Sequence, residues 1–176
     1  RKAGFEAFIV GGCVRDVLRG AEPVDWDIAT SARPEEIRKV FKKSFYENKF
    51  LTVTVQINTQ NPELKEIEVT TYRKEAKYTD KRHPDEVKFA KTLEEDLSRR
   101  DFTINAIAAD PPKIIDPYQG QRDLKKRIIR TVGKPDDRFS EDALRMMRGV
   151  RLATVLNFEI EDKTAKSIKK NASWLQ

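Results

Sequence analysis

The chain has little of what most metal centres and crosslinks are made from: a single cysteine, Cys13, and a single histidine, His83, in 176 residues. One cysteine cannot close an intrachain disulfide, and one Cys with one His cannot furnish a zinc site of the Cys/His kind. Any metal here must be held by oxygen. No apolar run is long enough to span a bilayer and no signal-peptide pattern opens the chain, so no membrane partner is expected and a cytoplasmic or organellar-matrix setting is. Internal repeats and low-complexity segments are also missing. What the chain does have is charge. Charged residues make up 36% of it, and 35 Lys and Arg against 29 Asp and Glu leave +6, which suits a polyanionic partner without proving one. The length fits one medium domain, or one domain with part of a second, with a real core. It opens at Arg1 rather than a methionine and ends at Gln176 straight after an expected helix, which suggests a piece of a longer protein. Nothing in it bears on oligomeric state.

The segment "FEAFIV" (5–10) reads as a strand, and "CVRDVLRG" (13–20) as a short helix closed by Gly20. "VDWDIAT" (24–30) is expected as a second strand, followed by a helix from Pro34, where proline and acids suit a first turn. "FLTVTVQI" (50–57) and "EIEVTTY" (66–72) alternate and are β-branched, as paired strands would be. Residues 73–88 are charged and aperiodic, and read as a long mobile loop. A short strand is expected near "KIIDP". From there the composition turns helical, with "GQRDLKKR", Glu141 to Leu156 and Lys163 to Leu175, and a domain boundary is placed near 117–120. This is an α/β (α+β) pattern.

Gly11 and Gly12 lie between strand and helix, where a glycine pair lets backbone N–H groups approach a phosphate and Arg15 can add a charged donor. A plain tight turn is the competing reading of so short a motif. Asp25 and Asp27 sharpen the first reading: one residue apart on an extended chain, both would leave the same face and repel unless a cation such as Mg²⁺ sat between them and a substrate phosphate. That arrangement fits two-metal phosphoryl or nucleotidyl transfer. Glu68, between apolar neighbours on a later strand, could supply a third carboxylate or simply face solvent. Arg99, Arg100 and Asp101 precede an apolar run, so an arginine there could neutralise a triphosphate or make an ordinary salt bridge.

In "SEDALRMMRGVRLATVL", helical spacing predicts an apolar stripe of Ala143, Met146, Met147 and Val150, with Asp142, Arg145, Arg148 and Arg151 following at intervals of three on the other side. A solvated basic face would look the same. A carboxylate beside a guanidinium is also a template for a base edge: aspartate accepts from the amino group of cytosine or adenine while arginine donates to the neighbouring ring nitrogen. Uracil and guanine present the opposite pattern. A buried mismatch costs roughly 1–3 kcal/mol per unpaired group, enough to select a base type.

With these residues in place the chain resembles the class II tRNA nucleotidyltransferases, the CCA-adding enzymes and bacterial poly(A) polymerases, within the polymerase-β-like superfamily. "VGGCVRDVLRG", "DWDIATSA", "IEVTTYR", "LEEDLSRRDFTINAIA" and "EDALRMMRGVR" stand in the family's order and spacing and cover nearly the whole chain. The resemblance implies a mixed-sheet nucleotidyltransferase head (1–118) and an incomplete helical neck (119–176), with body and tail largely absent. It implies that Gly12, Arg15 and Arg100, with Asp101 beside it, contact the nucleotide, that Asp25 and Asp27 hold Mg²⁺, and that Asp142, Arg145, Arg148 and Arg151 form the base template with Glu141 in support; Glu68 stays a catalytic candidate on its strand context alone. The implied activity is transfer of CMP and AMP from CTP and ATP to a tRNA 3′ end with release of pyrophosphate. CC-adding, A-adding and poly(A) enzymes are the neighbouring activities, and the loop at 73–88 argues against a CC-only enzyme, whose loop is shortened. An RNA-binding module without catalysis and a transferase acting on a small molecule are the rivals from other classes. Where the family often shows His-Gly before "TVTV", this chain has Phe50-Leu51.

Overall fold

The computed structural model describes residues 1–47, 51–76 and 86–175. A seven-stranded mixed sheet carries the first two thirds of the chain. In order across the sheet it runs β3 (Ser44–Glu47), β4 (Thr52–Gln56), β5 (Glu66–Thr71), β2 (Asp27–Thr30), β1 (Ala7–Val10), β8 (Ala108–Asp110) and β9 (Lys113–Ile115). Only β2 and β5 pair in parallel; every other neighbour in the sheet is antiparallel.

The period-2 alternation of strands divides the sheet into two faces. Val53, Val55 and Val69 pack with Ile37 of α2 (Pro34–Val40), and Ile9 and Ala109 pack with Cys13 and Val14 of α1 (Gly12–Leu18), so those two helices cover one face. The β2–β5 register sets Asp27 opposite Glu68, and the β4–β5 register sets Thr54 opposite Glu68 and Thr52 opposite Thr70. These polar residues therefore share the other face, beside Val10, Ala29 and Ala108, which pack with Leu93 and Leu97 of α3 (Leu93–Ser98). This face is apolar near α3 and polar beyond it.

The helical part comprises α4 (Gly120–Lys126), α5 (Pro135–Glu141), α6 (Leu144–Leu156) and α7 (Asp162–Asn171), with a two-stranded parallel pair of β10 (Ile128–Ile129) and β11 (Glu159–Ile160) between them. Part of its core is its own, Phe139, Ala143 and Met146 packing with Ile168 and Trp174, and part is shared with residues before it. Phe102 and Ile104, before the expected boundary, pack with Leu124, Ile129 and Leu156 after it. Two glycines permit that approach: a Cβ on Gly120 would collide with the Thr103 carbonyl, and one on Gly149 would lie 2.9 Å from the Phe102 ring.

Several expected elements differ. "VDWDIAT" is extended only from Asp27, and Asp25 sits in a bend before it, so the shared-face argument from strand geometry does not apply to Asp25. The ends of the expected loop at 73–88 are strands: β6 (Arg73–Ala76) pairs antiparallel with β7 (Glu86–Phe89), while residues 77–85, His83 among them, and Phe50 fall outside the described residues. The helix expected from Glu141 to Leu156 is two helices, because Asp142 is extended (φ −142°, ψ 106°) and ends α5. The apolar stripe is narrower than its spacing suggested: Ala143 and Met146 are buried but Met147 and Val150 are exposed, and Arg145 and Gly149 lie on the buried side instead. The last helix ends at Asn171 and tightens into a 3₁₀ turn over Ala172–Leu175.

Candidate active site

The polar sheet face and the start of α6 enclose an open cleft of about 800 Å³, and all eleven sequence-derived candidates line it: Gly12, Arg15, Asp25, Asp27, Glu68, Arg100, Asp101, Asp142, Arg145, Arg148 and Arg151. The chain brings them there from α1, the bend before β2, β2 itself, β5, the turn after α3, the break between α5 and α6, and α6.

On the sheet wall, β1 ends at Val10 and the chain turns through Gly11 at φ +80°, a conformation that favours glycine. A Cβ there would lie 2.8 Å from Arg100 Nη1, so besides straining the backbone a side chain would push the Arg100 guanidinium aside. Arg15 donates from Nε and Nη2 to the Asp16 carboxylate at 3.0 and 2.7 Å, and from Nη1 to Asn105 Oδ1 at 2.8 Å. Arg100 donates from Nη2 to Asp96 at 3.2 Å, while its Nε is buried with no hydrogen-bond partner among the described residues. A buried donor left open on a cation is what a bound anion would satisfy.

Asp96 is 1% exposed and organises this wall. It accepts from Arg99, Arg100 and the Arg73 backbone N–H. Burial disfavours its charge, yet the two guanidiniums outweigh that and hold its carboxyl below the usual range. Asp27 goes the other way. Burial pushes its carboxyl up, Arg100 offsets part of the rise, and the neighbouring charge of Asp25 adds to it. Asp25 and Asp27 are therefore a repelling pair of oxygen donors in a partly dry cleft, a donor set that suits a hard divalent cation. Glu68 does not close it into a nest: among the described residues no three acids gather closely enough to hold an ion.

On the helix wall, Asp142 accepts from the Leu144 N–H at 2.9 Å, and burial raises its carboxyl against the opposing pull of Arg145 and Arg148. Arg145 is turned inward, bonding Glu141 at 2.6 Å. Arg148 Nε meets Asp101 Oδ2 at 2.8 Å, and that carboxylate raises the guanidinium's already high pKa. Arg151 is exposed on the same helix. Asp142 and Arg145 thus border one space without the regular helical pairing that spacing of three implied.

Sequence reasoning passed over Asp16, Asp96 and Asn105. Asp96 had a readable signal, an acid three and four residues before two arginines. Asn105 had none, because its partner Arg15 lies 90 residues away in sequence.

The architecture has known counterparts. The family model for the poly A polymerase head domain matches residues 7–130. The chain belongs to that family. The CCA-adding enzyme of Ligilactobacillus salivarius is 49% identical over 183 residues, covering 100% of this chain and 43% of its own. That of Listeria monocytogenes is 49% identical, with 99% and 44% covered. Among solved structures, the Bacillus stearothermophilus CCA-adding enzyme in complex with CTP superposes with a TM-score of 0.87 at 45% identity, over 99% of this chain and 41% of that one. A tRNA nucleotidyltransferase complexed with a primer tRNA and an incoming ATP analog gives a TM-score of 0.77 at 32% identity, over 98% and 48%. The chain thus spans less than half the length of these relatives. Among the described residues no helix is long and apolar enough to cross a membrane.

Proposed function

We propose that this poly A polymerase head-family chain is the catalytic and base-reading part of a tRNA nucleotidyltransferase, adding CMP and AMP from CTP and ATP to the tRNA 3′ end and releasing pyrophosphate. The observation that carries the reading is one cleft with two chemically different walls, paired acids and fixed arginines on the sheet, and a carboxylate with arginines on the helix. The similarity to enzymes solved with CTP and with a primer tRNA and an ATP analog supports the choice of substrates. In this reading residues 1–118 form the head and 119–176 the start of a helical neck, and the protein works in the cytoplasm.

Arg100, with its open Nε, and Arg15 take the triphosphate, and Gly11 and Gly12 let it approach the backbone. Asp25 and Asp27 would hold Mg²⁺, with Glu68 adjacent to Asp27 as a further acid on the same face. When bound, such ions supply positive charge at the attacking and leaving oxygens. Asp142 accepts from the amino group of C or A, and Arg145, once released from Glu141, donates to the ring nitrogen, while Arg148 and Arg151 flank them. Nucleotidyl transfer asks for little beyond such placement of charge. Incubating the full chain with tRNA lacking its 3′ end and each nucleotide separately, then sequencing the products, tests this. Addition of C, C and A is expected; an A-only, CC-only or poly(A) product would move it to a neighbouring activity of the family. No addition at all would leave an RNA-binding module.

A further inference from the structure

Two side chains, Asn105 and Asp101, join the two walls of the cleft. Asn105 ends the 3₁₀ turn Thr103–Asn105 and is 9% exposed. Its Oδ1 accepts from Arg15 Nη1 at 2.8 Å, and its Nδ2 donates to Asp101 Oδ1 at 3.3 Å. Asp101 passes the connection on through Oδ2 to Arg148 Nε at 2.8 Å. An unbroken line of hydrogen bonds therefore runs from the arginine beside the glycine turn to an arginine of α6. The turn that carries Asn105 is itself fixed: Thr103 Oγ1 donates to Asp123 at 2.7 Å, and Phe102 is fully buried.

Only a primary amide suits this joint. It must accept from a guanidinium on one side and donate to a carboxylate on the other, and the amide group has one end for each. The opposite orientation would set NH₂ against Arg15 and oxygen against Asp101, so the network fixes the rotamer. A carboxylate at this position would keep Arg15 and repel Asp101. A hydrocarbon would lose both.

We propose that Asn105 is a positioning residue that couples the triphosphate-side arginine, Arg15, to the base-side arginine, Arg148, so that the incoming nucleotide's phosphates and base are registered together. This rests on the proposed nucleotidyl transfer in the same cleft. Asn105 need not touch the nucleotide. Its role is to make the two ends of the site sense each other through Asp101.

The test uses the full chain and compares kcat and KM for CTP, ATP, UTP and GTP in the wild type, Asn105→Asp and Asn105→Ala, with melting curves as a control on folding. In Asn105→Asp, KM for CTP should stay within about threefold, while the preference for C and A over U and G falls about tenfold, because Arg15 keeps its acceptor and Asp101 is displaced from Arg148. A double-mutant cycle of Arg15→Ala and Arg148→Ala should be non-additive by about fivefold in kcat/KM with Asn105 present, and additive within about twofold in the Asn105→Ala background. Should Asn105→Ala not fold, the near-isosteric Asn105→Asp decides alone. If the wild type adds C and A but Asn105→Asp keeps the full preference, or the cycle is equally coupled without Asn105, the inference is overturned while the proposed function stands. If the wild type adds neither, the proposed function itself fails and the inference falls with it.

Discussion

On the sheet wall of the cleft the side chains of Arg15 and Arg100 are 13% and 18% exposed, and each is gripped by an acid from its own stretch of chain, Asp16 and Asp96. On the helix wall the Arg148 side chain is 59% exposed and depends on Asp101, 47 residues away. Local pairs are set once their own segment folds, whereas the Arg148 pair exists only while α6 is docked on the 101–105 turn. Under the proposed function, the sheet wall is preorganised for a constant group, the triphosphate. On the helix wall Arg145 is held by Glu141 within its own stretch, and it is Arg148 that is left adjustable, as the proposed reading of two different bases needs.

Removing an acid from the sheet wall should have the largest effect. Asp27→Ala is expected to lower nucleotide incorporation by about 10³-fold, the scale of losing one fixed charge contact in the transition state. Stability should not fall. Because the Asp27 carboxyl is raised in the folded chain, its charge opposes folding at neutral pH, so a melting curve of the variant should match or exceed the wild type. Activity within a few-fold of wild type in a folded variant would remove Asp27 from the chemistry.

Asp96 tests whether the sheet wall is preorganised. Asp96→Asn leaves two partly buried guanidiniums short of their shared carboxylate, which should cost about 3 kcal/mol in denaturant unfolding at neutral pH. The sign of the pH dependence follows from the lowered carboxyl. Its contribution is full above the unfolded value near 4 and is lost as pH falls through the folded one, so wild type and variant should converge in acid. A gap that stays constant with pH would mean the charge is not what stabilises this wall.

The helix wall can be disturbed by itself. Gly149→Ala pushes a methyl at the Phe102 ring, and overpacking of this kind costs about 1–3 kcal/mol. It should change the preference among nucleotides more than triphosphate affinity, since no sheet-wall contact is touched. Equal losses for all four nucleotides, with triphosphate binding weakened to match, would contradict the division between the walls.

The smallest effect is expected farthest from the cleft. Asp136, at the start of α5, accepts from Ser167, Lys170 and Asn171 of α7. The Lys170 and Ser167 bonds foremost hold its carboxyl down at about 2. Its contribution is present above the unfolded value near 4 and disappears between there and about 2. Because Lys170 is exposed, Asp136→Asn should shift the melting temperature only slightly, and less at high salt. A large, salt-independent shift would show that α7 is held by more than surface pairs.

The strands around the acids were legible because β-branched alternation in "TVTVQ" and "EIEVTT" reports a half-buried sheet directly. The eleven candidates were legible as motif residues, and they converge in the structure. The break at Asp142 was not, since Glu141 to Leu156 carries no proline or glycine at that point; the extended Asp142 backbone, whose carboxylate accepts from the Leu144 N–H, reveals it. Met147 and Val150 were misplaced for a related reason: helical periodicity identifies a stripe, but Gly149 against Phe102 sets which way α6 is turned. Asn105 and Asp101 are neighbours, but their outer partners, Arg15 and Arg148, are distant in sequence, and no local pattern records such a meeting.

The division of labour between the walls is tested most directly by the relative incorporation of the four nucleotides by Asp142→Ala in the full chain. With the sheet wall intact, binding of the CTP triphosphate should weaken only a few-fold, while the preference for C and A over U and G should collapse, since one missing base contact is worth roughly 1–3 kcal/mol of discrimination. An unchanged preference with only the overall rate lowered would contradict the account and return Asp142 and its neighbouring arginines to a solvated charged face.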